Sequence, residues 1–226
     1  KSKGNVVSPW MVMRDQGADA LRWYLFTSTP SSAARRFSSE LVAESLRRFM
    51  LTLWNTYSFF VTYANIDNFK PEAYASWWAG EIGGPILASS PPNQLDRWIV
   101  SELNDMVTNV IDELDAYNPT DAGRRIEQFV DQLSNWYVRR GRRRYWRTVS
   151  EEGTAADQDK SWAYVTLYSC LFTLSKLLAP MTPFLADEIY RNLKPEGSAD
   201  SVHLTDYPKP DPRAIDHDLD RAIRLA

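Results

Sequence analysis

A dense group of arginines is the part of this sequence best suited to bind a charged ligand. Between Asn135 and Ser150 the chain carries six arginines and no acidic residue. The basic residues and the two aromatic residues among them are Arg139, Arg140, Arg142, Arg143, Arg144, Tyr145, Trp146 and Arg147. Guanidinium groups pair with phosphate oxygens, and aromatic rings stack on unpaired bases. The cluster therefore favours contact with the backbone of a nucleic acid.

The same cluster has a second interpretation, in which a solvated helix end pairs its arginines with the chain's many carboxylates. On a regular helix, Arg140 and Arg144 continue the apolar line that reaches Tyr137. Three residues fall on the opposite face: Arg139, Arg142 and Trp146. Burying unpaired guanidinium groups is prohibitively costly. Either the core ends near Tyr137 and a basic helix end projects beyond it, or these arginines meet acids from another element.

Other residue types that carry chemistry are few. Cys170 is the only cysteine and lies among apolar residues, so we expect a buried, inert thiol and no disulfide. His203 and His217 have no Cys or His cluster near them, which makes a metal site improbable. The sequence contains no paired carboxylates, no nucleophile with a base and no phosphate loop. It therefore gives no support for a standalone enzyme.

Composition is that of an ordinary globular domain. The 226 residues are 44% hydrophobic and 24% charged, with a high aromatic share of 13% that includes nine tryptophans. A chain of this length can bury one large core, or one core and a small appendage. The net charge of -3 argues against a globally basic nucleic-acid binder. No apolar run has membrane-spanning length and no signal peptide opens the chain, so we expect a cytoplasmic protein.

Hydrophobic periodicity predicts an all-α helix bundle. Apolar residues recur at three- and four-residue steps in a set of segments: 17–28, 39–64, 93–114, 119–137, 160–178 and 183–189. Asn93 and Asn118 are suitable N-caps, and Pro119 and Pro183 suit the first turn of a helix. Residues 65–92 are rich in Gly and Pro and are interpreted as a long connection. Residues 201–204 are predicted to be a short extended segment, and the last ten residues to begin a helix.

Four tryptophans lie on the apolar stripes of these helices and are predicted to belong to the core: Trp54, Trp98, Trp136 and Trp162. Base stacking by any of them is a minor possibility.

Several motifs, in order, resemble those of class I aminoacyl-tRNA synthetases. The chain opens with a run similar to the end of the KMSKS signature and its continuation: Lys1, Ser2, Lys3, Gly4 and Asn5. A G-A-D-A-L-R sequence follows at residues 17–22. At similar distances come L-T-L-W-N at 51–55, L-D-R-W-I at 95–99 and M-T-P-F-L-A-D-E at 181–188. This ordered set is typical of the isoleucyl, valyl and leucyl subgroup.

Within the subgroup the chain resembles isoleucyl-tRNA synthetases. The run of Trp136, Tyr137 and the arginines after them carries this distinction, because valyl enzymes have an acid and fewer arginines there. Arg36-Phe37-Ser38 and residues 54–67 resemble the isoleucyl enzymes as well. Two alternatives stay open: the corresponding domain of a valyl or leucyl enzyme, and a helical scaffold that binds protein.

The resemblance implies an anticodon-binding helix bundle from a ligase that joins isoleucine to its tRNA with ATP and Mg. The implied division is 1–30 for the end of the KMSKS loop and a connecting helix, 31–195 for the helical bundle, and 196–226 for a C-terminal extension. Lys1 would neutralise charge on the phosphates in the parent's active site, while Ser2, Lys3, Gly4 and Asn5 shape that ATP-binding loop. The HIGH motif and the editing domain would lie before Lys1. The fragment alone should therefore be inactive.

The implied partner is an isoleucine-accepting tRNA, with no DNA, no membrane, no metal in this fragment and a monomeric chain. A set of side chains would grip the tRNA: Arg139, Arg140, Arg142, Arg143, Arg144, Trp146 and Arg147. Arg22 and Arg97 match the family motifs but serve equally well in helix packing.

Overall fold

The computed structural model describes residues 7–30, 32–148 and 154–225, and the regular secondary structure of these residues is helical. The α-helices in chain order are α1 Pro9–Gln16, α2 Ala18–Thr27, α3 Ser39–Ser45, α4 Leu51–Ile66, α5 Gln94–Asp115, α6 Pro119–Gln132, α7 Arg139–Trp146, α8 Ala155–Leu178, α9 Pro183–Leu193 and α10 His217–Arg224. Among the described residues no strand forms, and one antiparallel bridge joins Trp78 to Leu87. The prediction of an all-α bundle is confirmed.

Two of the long helices contain a π-helical turn. Leu46–Met50 connects α3 to α4, and Leu133–Val138 connects α6 to α7. A π turn holds one more residue than an α turn, so every later side chain rotates by about 100° around the helix axis. Sequence periodicity predicted two uninterrupted helices. Apolar residues within a π turn, such as Leu133 and Tyr137, are still four residues apart, and this spacing also suits a regular α-helix.

The helix starts follow from local chemistry. The Asn93 side chain accepts a hydrogen bond from the backbone N–H of Leu95, and that of Asn118 accepts one from Asp121. Thr154 and Asp157 form a capping box at the start of α8, which begins several residues earlier than its apolar stripe indicated. These side chains satisfy backbone donors that the first helical turn leaves unpaired.

Helix α8 lies at the centre of the bundle. Every residue from Trp162 to Leu178 is buried, and α8 packs against α4, α5, α7 and α9. A helix that is apolar around its whole circumference requires neighbours on all sides. Cys170 lies in this segment with no exposed surface, and burial raises the pKa of its thiol. The interpretation of Cys170 as an inert core residue is therefore supported.

Short helical segments occupy much of the remaining chain. Pro71–Trp77 and Val202–Leu204 form 3-10 helices, so the predicted extended segment at 201–204 is wrong. The Ser201 side chain accepts a hydrogen bond from the His203 N–H and initiates that turn, which apolar alternation could not indicate. Another 3-10 turn, Pro212–Ala214, precedes α10, and α10 packs on α5.

Candidate nucleic-acid interface

The arginine-rich helix α7 is seated on the bundle by its aromatic residues. Tyr145 is 1% exposed, and its hydroxyl donates a hydrogen bond of 3.0 Å to the carbonyl of Ala163 in α8. The Tyr145 ring meets Phe59 and Tyr164 edge to face, at centroid distances of 5.1 Å in both pairs. Burial raises the pKa of the Tyr145 hydroxyl. The core therefore continues along α7 well past Tyr137, which excludes the first of the two alternatives, a core that ends near Tyr137 with the helix projecting beyond it.

Arg144 is held by acids from two other helices. Its guanidinium donates two hydrogen bonds of 2.6 Å to the carboxylate of Asp96 in α5. It also contacts the Asp159 carboxylate of α8 at 2.9 Å. Burial alone would lower the pKa of Arg144, but the hydrogen bonds to Asp96 raise it above its usual value. Of the two arrangements open to a buried arginine, this residue takes the one in which acids from another element meet it.

Asp96 anchors this network from a fully buried position. Its side chain has 0% exposure and also accepts a hydrogen bond of 2.7 Å from the Tyr137 hydroxyl. Burial, with the nearby Asp96 charge second, holds the pKa of Tyr137 well above its usual range. A bidentate pair with a further hydrogen bond has the geometry that a buried ion pair needs to be tolerated. The network therefore fixes the rotation of α7 around its own axis.

The π turn decides which arginines reach the surface. On an uninterrupted helix, Arg140 would lie in the apolar line. The extra residue in Leu133–Val138 shifts that line to Tyr137, Gly141 and Tyr145, all of them buried. Arg140 is consequently exposed, and Arg144 lies at the edge of the buried line. The sequence predicted that both arginines continue the apolar line. In the structure Arg140 is exposed, and Arg144 lies beside the buried line and is not part of it.

The remaining arginines of α7, its Trp146 and the adjacent Arg147 form one exposed surface, which we call the basic face: Arg139, Arg140, Arg142, Arg143, Trp146 and Arg147. None of these five guanidinium groups pairs with a carboxylate of the residues that the structure describes. Trp146 is 57% exposed, which is unusual for a large aromatic ring. Within the part of the chain that the structure describes, the basic face thus offers guanidinium groups without carboxylate partners and one accessible ring, on a helix whose orientation is fixed.

Two aromatic rings support arginines of the basic face from below. The Arg140 guanidinium lies over the Trp136 ring, 4.5 Å from its centroid, and Arg142 lies 5.9 Å from the centroid of Phe59 in α4. A ring beneath a guanidinium restrains it while leaving its N–H donors free. Phe59 was not among the residues predicted from sequence, since only the packing of α4 beside α7 brings it here.

The other residues predicted from the sequence, those of the first five positions and four tryptophans, do not belong to the basic face. Lys1, Ser2, Lys3, Gly4 and Asn5 lie outside the described residues. Among the tryptophans predicted to be core, Trp98 and Trp162 are buried at 2% and 6% exposure, and Trp136 is half-buried. Trp54 is 39% exposed, so its assignment to the core is wrong: it lies at the edge of the α4 stripe.

The Arg22 side chain takes part in helix packing. Its guanidinium donates to the carbonyls of Pro180 and Met181, at 2.8 and 3.1 Å. Arg97 donates to the nearby carbonyl of Pro92 at 3.3 Å. In the described part of the chain no group of three or more His, Cys, Asp or Glu residues could hold a metal ion, and no helix is long and apolar enough to span a membrane.

Comparison with known proteins gives one family and a consistent set of relatives. The family model described as the anticodon-binding domain of tRNA ligase matches residues 96–226. The isoleucine–tRNA ligase of Dehalococcoides mccartyi strain CBDB1 is 54% identical over 100% of this chain and 21% of its own length. Those of Clostridium acetobutylicum and Thermus thermophilus are 47% and 44% identical, over 100% and 99% of this chain and 20% of their own lengths. The chain therefore spans about a fifth of these relatives.

A solved structure shares the fold. It is a ternary complex of LeuRS, tRNA and LeuAMS from Agrobacterium radiobacter K84, with a TM-score of 0.66 and 18% sequence identity. The match covers 96% of this chain and 22% of that one. At this identity the likeness concerns the helical architecture alone.

Proposed function

Because this chain belongs to the family of anticodon-binding domains of tRNA ligases, we propose that its basic face grips the phosphate backbone of a tRNA. The observation that carries the proposal is the set of exposed arginines on and next to α7 that have no carboxylate partner among the described residues, on a helix whose rotation is fixed by Arg144 and Asp96. Arginines on a rigid element lose less conformational entropy when they bind phosphates, because the backbone that carries them is already ordered. Arg144 is committed to its carboxylates, so the proposed contacts are Arg139, Arg140, Arg142, Arg143 and Arg147, with Trp146 as a stacking ring.

We propose further that the tRNA is an isoleucine-accepting one and that the parent protein ligates isoleucine to it with ATP. Relatives at 42–54% identity along the chain are isoleucine–tRNA ligases, which favours isoleucine over valine or leucine. ATP and Mg belong to the parent's active site, where Lys1, Ser2, Lys3, Gly4 and Asn5 would form the end of the ATP loop. We expect a cytoplasmic, monomeric protein whose isolated fragment is inactive.

The test is binding of the chain to an isoleucine tRNA and to an unrelated tRNA across a salt series. We expect the binding constant to fall steeply with salt, because each neutralised phosphate releases counterions. Replacing Arg139, Arg142 and Arg143 together by Ala should weaken binding and reduce the log–log salt slope by about 2–3. Circular dichroism should show unchanged helicity, since these side chains are exposed and Phe59, the ring beneath Arg142, keeps its own contact with Tyr145.

The matched control removes three other exposed arginines, Arg14, Arg213 and Arg221, which changes the net charge equally. This control should bind tRNA nearly as well as the original chain. Equal weakening by both triple variants would mean that overall charge, and not the basic face, governs binding. Absence of binding at low salt would refute the proposal, and affinity indifferent to salt would favour a helical scaffold that binds protein.

A further inference from the structure

The end of α7 is held by two successive residues near the beginning of α8. Asp159 accepts hydrogen bonds from the side chain of Arg144. The next residue, Lys160, contacts the backbone instead: its ammonium donates a hydrogen bond to the carbonyl of Arg147, the residue at which α7 ends. The first contact helps to fix the rotation of α7, and the second fixes the point at which the chain leaves the helix.

Lys160 is itself held in place by a residue at the end of α4. Its side chain is 3% exposed, and its ammonium lies 2.7 Å from the carboxylate of Asp67. The hydroxyl of Tyr164, one turn further along α8, donates a hydrogen bond to the same carboxylate. A buried ammonium is tolerated when it is paired and hydrogen-bonded, as this one is. Lys160 therefore links the ends of α4 and α7 to the beginning of α8.

The hydrogen bond from Lys160 satisfies a carbonyl that α7 leaves without an intrahelical partner. The Arg147 backbone is extended, with φ −67° and ψ 135°, so the helix stops there. The last carbonyls of a helix need donors from elsewhere, and a positive charge is favourable at this end of the helix dipole. The Lys160 ammonium supplies both a donor and a positive charge, and it therefore opposes fraying of the last turn.

We propose that Lys160 is a positioning residue for RNA binding, which holds the Arg147 backbone so that the Arg147 guanidinium meets a phosphate together with the other arginines of the basic face. The proposal rests on the proposed function. Lys160 is buried, so it acts through Arg147 and does not touch RNA. Arg147 is exposed at the end of the helix, where an unrestrained backbone would lose more conformational entropy on binding.

The experiment measures binding of the chain to an isoleucine tRNA across a salt series for Lys160→Met, Arg147→Ala and the double variant. Arg147→Ala should weaken binding about threefold to tenfold and reduce the log–log salt slope by about 1, the effect of one lost phosphate contact. Lys160→Met keeps the apolar stem and removes the ammonium, and it should reproduce both changes. The double variant should bind no more weakly than Arg147→Ala, because both substitutions remove the same contact.

The matched control is Lys176→Met, which removes the same charge from the same helix. Lys176 is also buried, with 5% exposure of its side chain, and its ammonium lies 2.6 Å from the carboxylate of Glu81. It lies about 24 Å further along α8 than Lys160. Both lysine variants should unfold at lower urea concentrations than the original chain. Only Lys160→Met should lower the affinity for tRNA and the salt slope.

Equal weakening of tRNA binding by the two lysine variants would show that Lys160 only stabilises the fold, and would overturn the proposal. Effects of Lys160→Met and Arg147→Ala that add in the double variant would overturn it as well. In both cases the proposed function stands if the triple-arginine variant of the basic face still binds weakly. Absence of salt-dependent tRNA binding by the original chain would overturn both proposals. If Lys160→Met does not fold, Asp67→Asn combined with Lys160→Met replaces it, because that pair leaves no buried charge unpaired.

Discussion

Two arginines one helical turn apart, Arg140 and Arg144, are used in different ways. Arg140 is exposed over the Trp136 ring, whereas the Arg144 side chain is 12% exposed and bonded to two carboxylates. Both carry the same charge in the same basic run. The π turn sets the rotation of α7. With that rotation Arg144, one helical turn beyond Arg140, lies opposite Asp96. The groups that surround a guanidinium in the folded chain therefore decide whether it stabilises the fold or stays available to a ligand.

The Asp96 carboxylate should be among the most sensitive side chains for stability. Asp96→Ala removes the partner of Arg144 and of the Tyr137 hydroxyl in a site with 0% exposure. We expect a loss of about 2–5 kcal/mol in the free energy of unfolding, because Arg144 is left with the partly exposed Asp159 and the Tyr137 hydroxyl loses its nearer acceptor. Urea denaturation followed by circular dichroism measures it. Asp112→Ala, at an exposed position of α5, should change stability by no more than about 0.5 kcal/mol. Equal effects of the two substitutions would contradict the role given to Asp96.

At the scale of elements, the π turn at Leu133–Val138 links the core to the candidate interface. It rotates α7 so that Tyr145 enters the core and Arg140 leaves it. It also carries Trp136, whose ring lies beneath the Arg140 guanidinium. π turns inside α-helices are frequent at functional sites, because the extra residue redirects side chains without ending the helix.

Two helical glycines provide a test of how tightly these elements pack. A Cβ at Gly123 would lie 2.5 Å from Cγ2 of Thr27 in α2, whose hydroxyl is bonded to the Trp23 carbonyl. A Cβ at Gly141 in α7 would have its nearest neighbour, a Tyr145 ring atom, at 3.9 Å. Gly123→Ala should therefore destabilise the chain by about 1–3 kcal/mol through overpacking. Gly141→Ala should stabilise it by about 0.5–1 kcal/mol by restricting the unfolded backbone.

Thermal and urea unfolding of both variants measure these opposite signs. Each variant serves as the control for the other, because the substitution is the same and only the surroundings differ. Stabilisation by Gly123→Ala would mean that α2 and α6 are not in the close contact described here.

Across the whole molecule, α2 joins the beginning of the chain to its later helices. Asp19 accepts a hydrogen bond of 2.7 Å from the backbone N–H of Leu185 at the start of α9, and burial raises the pKa of its carboxyl. Arg22 donates to carbonyls in the turn between α8 and α9. One helix thus provides an acceptor for the N-terminus of α9 and a donor for the end of α8.

Loss of the Arg22 contacts should lower the stability of the whole chain, which should still unfold in one transition. Arg22→Met keeps the apolar stem but leaves the carbonyls of Pro180 and Met181 without their charged donor. We expect the free energy of unfolding to fall by about 1–3 kcal/mol, with an unchanged dependence on urea. Arg14→Met, at a side chain with 74% exposure, is the control and should be nearly neutral. A second unfolding transition in Arg22→Met would instead mean that α1 and α2 unfold apart from the rest.

Local sequence features were enough to predict the all-α class, most helix starts and a dense arginine cluster. Periodic apolar residues, N-caps such as Asn93 and Asn118, and local charge density are properties of neighbouring residues, so they can be recognised in a linear chain. Only packing in three dimensions shows which arginines lack a carboxylate partner among the described residues, and that Phe59 lies beneath Arg142. Each of these depends on helix rotation and on contacts between residues far apart in sequence. A one-residue π insertion changes such contacts while leaving the apolar pattern almost intact.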